Sequence, residues 1–339
     1  MKISFFEMED WEHAELERLG DGCELRFESG RLDARTADAH ADADVVSTFI
    51  HSRLDASVLG RFDRLGLIAT RSTGHDHIDL GWCRRNGVAV ANVPRYGDRT
   101  IAEHVFALLL AISHRIVEAV ERTRRGDFSF GGLQGFDLNG ATMGVVGTGR
   151  IGECTARLAL GFGMRVLAND VRPDPVLAGT AGVRYVSLEE LLASSDVVSL
   201  HVPGGGATRH LMNAARFAQM KPGAVLINTS RGEVVDTAAL VRALGEGRVA
   251  AAGLDVLEAE PGLREEAELL RTLAADRDRD MRTLLADHIL LRMGNVLVTP
   301  HSGFDTRQAV RRILTTTREN IEAYAAGKLQ NTVEPPEGE

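Results

Sequence analysis

The stretch TMGVVGTGRIGECTARLAL (142–160) decides the fold. Residues 142–146 are apolar enough for a buried strand, and residues 151–161 carry helical spacing. Between them Gly147-Thr148-Gly149-Arg150-Ile151-Gly152 fits GxGxxG. In a strand–turn–helix that holds a pyrophosphate, the three glycines serve a tight turn, a close backbone approach and helix–strand packing. The helix N-terminus adds free N–H groups and the positive end of its dipole. Asp170 ends the next strand-like run, 165–169. An acidic side chain there hydrogen-bonds a ribose 2′-OH and repels a 2′-phosphate, which favours NAD over NADP. The alternative for Asp170 is a turn residue ahead of Pro173, and Arg172 bears on how strict the preference is.

Outward from this unit the alternation continues both ways. Strand-like runs follow at 197–200, 224–228, 249–254 and 296–298, and a separate series precedes it at 2–6, 24–27, 45–50, 67–70 and 88–91. Helical spacing separates the early runs at 11–19, 54–62 and 76–85. Continuous apolar runs suit strands buried on both faces, and βαβ alternation gives parallel sheets layered with helices. Residues 101–119 are apolar on most faces, as in a helix buried in a core or a subunit interface. Residues 305–326 read as one further helix. The expected fold is α/β with two doubly wound parallel-sheet domains. A Rossmann NAD-binding domain at 100–299 is inserted into a discontinuous flavodoxin-like substrate domain at 1–99 and 300–339.

Composition narrows the classes. The 339 residues carry a formal charge of −9, which argues against a general phosphate-backbone binder, so no nucleic-acid partner is expected. The longest apolar run, 105–112, is far short of the roughly 20 residues of a membrane span. The three cysteines lie far apart with no CxxC, which speaks against a disulfide scaffold. Acidic residues from Glu7 onward do not suit a signal peptide, and a cytoplasmic location is expected.

Three polar residues follow strand-like runs in the second half: Arg231 in NTSRG, Glu260 in EAEP and His301 in TPH. A carbonyl that accepts hydride must also take a proton on oxygen, a task suited to histidine near neutral pH. A carboxylate on the far ring nitrogen orients it and favours its protonated form. A guanidinium grips a substrate carboxylate with two parallel bonds and helps polarise the carbonyl. Individually each has a plain alternative, a buried Arg–Glu pair or a capping histidine. Together behind a dinucleotide fingerprint they fit reduction of a 2-keto acid.

The chain resembles the D-isomer-specific 2-hydroxyacid dehydrogenases over nearly its full length. The matching stretches are RSTGHDHIDL (71–80), NVPRYGDRTIAEH (92–104), VVGTGRIG (145–152), KPGAVLINTSRGEVVDTAAL (221–240), GLDVLEAEP (253–261) and VTPHSGF (298–304). The resemblance implies Arg231 as carboxylate anchor, Glu260 as partner of the histidine and His301 as acid/base. It places Ser72, Thr73 and Gly74 in a loop whose backbone N–H groups face the substrate carboxylate, with Tyr96 and Phe304 near the substrate. It also implies cofactor contacts at Thr100, Gly147, Gly149, Arg150, Ile151, Gly152, Asp170, His201, Thr229 and Asp255, and a homodimer through the NAD-binding domain. FSFGGLQGFDL (128–138), the charged segment 264–292 and Phe304 resemble the D-lactate dehydrogenase-like branch. Gly303 stands where that branch often has alanine, and Asp305 adds a negative charge.

Several residues keep two readings. Asp255 either accepts from a carboxamide or caps the next turn. His201 either lines the adenine side or is a polar strand end. His104 reads as an interface or packing histidine, with a cofactor contact as the lesser alternative. His75-Asp76-His77 resembles a short metal cluster, but Asp76 suits a helix cap and no metal site is expected. Segment 264–292 suits a solvated helix pair. Pyruvate leads among substrates, ahead of longer 2-keto acids, hydroxypyruvate and glyoxylate. A non-enzymatic NAD-sensing corepressor is the rival from another class.

Overall fold

The computed structural model describes residues 1–20, 22–258 and 278–333. The chain forms two compact units, Met1–Tyr96 with Asp305–Glu339, and Gly97–Phe304. The seams therefore lie at 96/97 and 304/305 rather than at 99/100 and 299/300. His301 and Phe304 belong to the second unit, not to the C-terminal part of the first.

In the first unit β1 (Lys2–Phe5), β2 (Glu24–Phe27), β3 (Val45–Ser47), β4 (Leu67–Ala69) and β5 (Ala89–Ala91) form a parallel sheet in the order β2-β1-β3-β4-β5. This is the flavodoxin-like order. The α-helices within its N-terminal segment are short: α1 (His13–Leu16), α2 (Ala56–Leu59) and α3 (Leu80–Arg85). Asp79, not Asp76, caps α3 by accepting from the Trp82 N–H. Ile78 is drawn into a parallel bridge with Leu54, so the helix cannot begin earlier.

The second unit holds β6 (Thr142–Val146), β7 (Arg165–Asn169), β8 (Val183–Tyr185), β9 (Val197–Leu200), β10 (Ala224–Asn228), β11 (Val249–Leu254) and β12 (Val296–Val298). All are parallel, in the order β12-β11-β10-β9-β6-β7-β8. That is the Rossmann order with one strand added, and its direction of growth reverses between β6 and β9, where ligands bind in such sheets. The sequence reading missed β8, whose three residues form no buried run.

The apolar segment 101–119 is not one helix. It is α4 (Asp98–Ser113) followed by α5 (Ile116–Arg124), bent by 60° where Arg115 takes φ +51°. One core cluster packs α4 and α6 (Arg150–Gly161) on one face of the sheet. The other face carries α8 (Leu188–Ser194), α9 (Ala214–Gln219), α10 (Thr237–Gly245) and α11 (Asp278–Leu290), while α7 (Pro175–Ala178) lies beside β8. Of the expected helix pair at 264–292 only α11 falls within the described residues. The last helix, α12 (Arg307–Ala325), is capped by Thr306 and returns to the first unit. It buries Val310, Ile313, Leu314 and Ile321 along one stripe, and the Asn320 amide donates to the Asn92 carbonyl.

Candidate active site

The glycine turn leads from β6 into α6. Gly147 has φ +90°, and a Cβ there would come within 2.8 Å of the His201 backbone. A Cβ on Gly152 would collide with the Gly147 carbonyl, so only hydrogen fits between helix and turn. Gly149 differs: it is the extended N-cap of α6, no side chain caps it, and a Cβ would meet nothing within 4 Å. Arg150 pairs with Asp98 at 3.3 Å, and Ile151 is half-buried. Thr100 is buried in the first turn of α4.

Asp170 is tied to this turn. Its Oδ2 accepts from the Thr148 N–H at 2.6 Å and hydroxyl at 3.2 Å, and its Oδ1 accepts from the Arg172 N–H at 2.8 Å. Tyr185 donates to the Thr148 hydroxyl at 2.8 Å, so the unread strand β8 also steadies the loop. His201 leaves β9 with its Nε2 2.9 Å from the Ser199 hydroxyl. Desolvation pushes its pKa down to about 4, and the ring is neutral at physiological pH.

Arg231 lies on a turn at the end of β10 that Asn228 organises. The buried Asn228 carbonyl oxygen accepts from the Ser230 N–H and hydroxyl, and its amide donates to the Arg231 carbonyl at 3.0 Å. The Thr229 hydroxyl in the same turn is buried and finds no hydrogen-bond partner among the described residues.

Asp255, at the end of β11 and 3% exposed, holds the His301 loop. Its Oδ1 accepts from the Thr299 hydroxyl at 2.5 Å and the Ser302 N–H at 2.9 Å, and its Oδ2 accepts from the Gly303 N–H at 2.9 Å. His104 Nε2 lies 3.0 Å from the Thr299 hydroxyl and 3.4 Å from Asp255 Oδ1. Desolvation raises the Asp255 pKa, but the hydrogen bonds from His104, Thr299 and Gly303 outweigh it, leaving the carboxyl below its ordinary value. Inside this cradle His301 adopts φ +56°, a left-handed conformation costly for a residue with a Cβ. Strain of this kind persists where surrounding contacts over-determine the backbone. Neither reading of Asp255 was complete, since its carboxylate positions the His301 loop. His104 belongs to that network.

In the first unit, residues 72–74 follow β4. Ser72 is buried and donates to the Gly74 carbonyl at 2.5 Å; the Thr73 hydroxyl donates to the Val93 carbonyl at 2.7 Å. Both hydroxyls brace the turn from beneath. Among the described residues the Thr73 and Gly74 N–H groups have no acceptor within the chain, leaving two donors for an anion. The Tyr96 carbonyl accepts from Arg312 at 2.8 Å, and Tyr96 and Phe304 are half-buried. Glu260 lies outside the described residues.

Residues 106–303 match the model of the D-isomer specific 2-hydroxyacid dehydrogenase NAD-binding domain. D-lactate dehydrogenase of Escherichia coli is 35% identical over 97% of this chain and 98% of its own. The chain belongs to the D-isomer-specific 2-hydroxyacid dehydrogenase family. A glyoxylate reductase of Thermococcus onnurineus is 36% identical to this dehydrogenase, over 86% of this chain and 83% of its own. The structure of D-lactate dehydrogenase from Aquifex aeolicus complexed with NAD and lactic acid superposes with a TM-score of 0.84. It is 34% identical and covers 98% of this dehydrogenase and 99% of its own chain.

The dehydrogenase is NAD-dependent, and the second unit suits that cofactor. The open space at Gly149, the uncapped start of α6 and the orphaned Thr229 hydroxyl are features that a dinucleotide satisfies. The sequence reading missed Asn228 and Thr299 as supports of the site. Asn228 opens the NTSRG motif and Thr299 opens TPH, so both sat inside motifs quoted only for their charged residues.

Proposed function

We propose that this dehydrogenase reduces pyruvate to D-lactate, with His301 as proton donor, Glu260 as its partner and Arg231 as carboxylate anchor. NADH, when bound, supplies the hydride. The N-terminus of α6 and Asp170 are the groups we assign to its pyrophosphate and adenosine ribose. The observation that carries the reading is the Asp255 cradle, which keeps His301 in a strained backbone conformation. His301 would place a proton on the carbonyl oxygen as charge develops there, and Arg231 would grip the carboxylate and stabilise the same charge. Glu260 takes its role from the GLDVLEAEP motif.

The lactate dehydrogenases among the relatives support pyruvate, and the glyoxylate reductase supplies the competing substrate. The test is loss of NADH absorbance with a panel of pyruvate, glyoxylate, hydroxypyruvate and longer 2-keto acids. Pyruvate should give the highest kcat/KM; a higher value for another acid replaces the substrate. His301→Ala should abolish turnover while NADH still binds, and joint loss of both would mark His301 as structural.

We also propose a homodimer built on the second unit. Helix α5 buries none of its residues, and Ile116, Val117, Phe128 and Phe130 are exposed on it and just after it, the two phenylalanines by 82% and 88%. Rings this open suit a subunit contact.

A further inference from the structure

The loop that leaves β9 reads Pro203-Gly204-Gly205-Gly206, and it runs beside the Arg231 turn. Gly205 has φ +120°, which a residue with a Cβ rarely adopts. Its three consecutive glycines bring no side chains; within the loop the Thr208 hydroxyl donates to the Pro203 and Gly205 carbonyls at 2.6 and 3.2 Å. Its side-chain link to the Arg231 turn comes from Glu233, two residues beyond Arg231. Glu233 Oε1 accepts from the Gly205 N–H at 2.7 Å, and its Oε2 lies 3.4 Å from the Arg209 guanidinium. A Cβ built on Gly204 would stand 2.7 Å from Glu233 Oε1 and 3.1 Å from Arg231 Cγ. Gly204 thus lies directly against the stem of Arg231, and Glu233 pins the loop there. By contrast a Cβ on Gly206 would meet nothing within 4 Å.

We propose that Glu233 is a positioning residue for Arg231, acting through the glycine loop that it holds against the Arg231 stem. The inference rests on the reading of Arg231 as the substrate-carboxylate anchor. A long guanidinium side chain loses rotamer freedom when its stem is packed, so a fixed loop lowers the cost of presenting the fork to substrate. Without the tether the stem loses that packing surface, and substrate affinity suffers before the chemistry does.

The test compares steady-state kinetics with pyruvate, together with NADH binding by fluorescence, for Glu233→Ala, Glu233→Gln, Gly204→Ala and Gly206→Ala. Glu233→Ala and Gly204→Ala should raise KM about tenfold, as expected for a small misplacement of a binding group, with kcat and NADH affinity within about twofold. Glu233→Gln keeps an acceptor for the Gly205 N–H and should restore KM, because the exposed Arg209 pair contributes little. Gly206→Ala should match the parent. In an Arg231→Lys background Gly204→Ala should add almost nothing, since both changes act on one side chain. A parent-like KM in Glu233→Ala and Gly204→Ala, beside a raised KM in Arg231→Lys, overturns the positioning role and leaves the anchor standing. Equal losses in kcat, KM and NADH affinity overturn it as well, by showing a general structural defect. A parent-like KM in Arg231→Lys removes the anchor and the inference together.

Discussion

Replacing Asp255 separates holding the catalytic loop from merely filling space. In the folded protein its carboxylate accepts two backbone N–H groups and the Thr299 hydroxyl while almost fully buried. Hydrogen bonds to a charged group contribute about 1.5–3 kcal/mol each. Asp255→Asn keeps one oxygen but turns an amide N–H₂ toward either Thr299 and Ser302 or Gly303, so the loss should be on the order of 2–4 kcal/mol in urea unfolding. Turnover should fall more steeply, by about a hundredfold, because His301 relaxes from φ +56° and its ring leaves the reacting position. NADH affinity should change far less. The pH dependence has a definite sign. The Asp255 pKa is lowered in the folded state, so its stabilisation is fully present above the unfolded value of about 4 and is lost as pH falls through the folded value. The variant should lack that acid-dependent component. His301→Gly provides the complement: it relieves a left-handed strain of about 1–2 kcal/mol and should not destabilise the fold, yet it should abolish turnover. An Asp255→Asn enzyme that loses stability but turns over normally would refute the cradle as a catalytic support.

Arg231→Lys preserves charge but not the fork, so KM for the keto acid should rise about tenfold or more with kcat less affected; an unchanged KM refutes the clamp. His201 is held neutral with its pKa near 4, so the unfolded chain binds the extra proton between about pH 4 and 6.5 and stability rises with pH across that window. His201→Asn should flatten that rise, by at most about 3 kcal/mol, in urea midpoints measured at several pH values, and a parent-like slope would count against desolvation as the cause. Phe128→Ser with Phe130→Ser should yield a monomer by size-exclusion light scattering, and a dimer of parental affinity would place the subunit contact elsewhere.

What the sequence revealed follows from where information is local. The glycine turn and the strand runs each depend on neighbours in sequence, and they were legible. Apolar runs mark strands buried on both faces, but β8 has exposed Arg184 at its centre and left no such mark. The break in 101–119 was hidden because Arg115 is no routine helix breaker, and only its backbone conformation shows the turn. Asp255 had two plausible partners because its real ones, Thr299, Ser302 and Gly303, lie more than forty residues away. The seam after Phe304 was misplaced for the same reason, since those long-range bonds bind residues 302–303 to the second unit. Side-chain tethers such as Glu233 to Gly205 have no periodicity and appear only once the loops are in space.

The return of α12 to the first unit also sets an order of assembly during synthesis. The sheet β1–β5 emerges from the ribosome first, yet Ile313, Leu314 and Ile321 of α12 belong to its unit and come last. About 200 residues separate the two parts of that unit. At about 5–20 residues per second, the N-terminal segment waits on the order of 10–40 s for its missing helix. The second unit is continuous and can close as soon as its own strands are made. Vectorial translation therefore favours a nascent chain in which the second unit matures before the first is complete. A nonsense mutation ahead of α12 would leave an incomplete first unit beside an intact nucleotide fold.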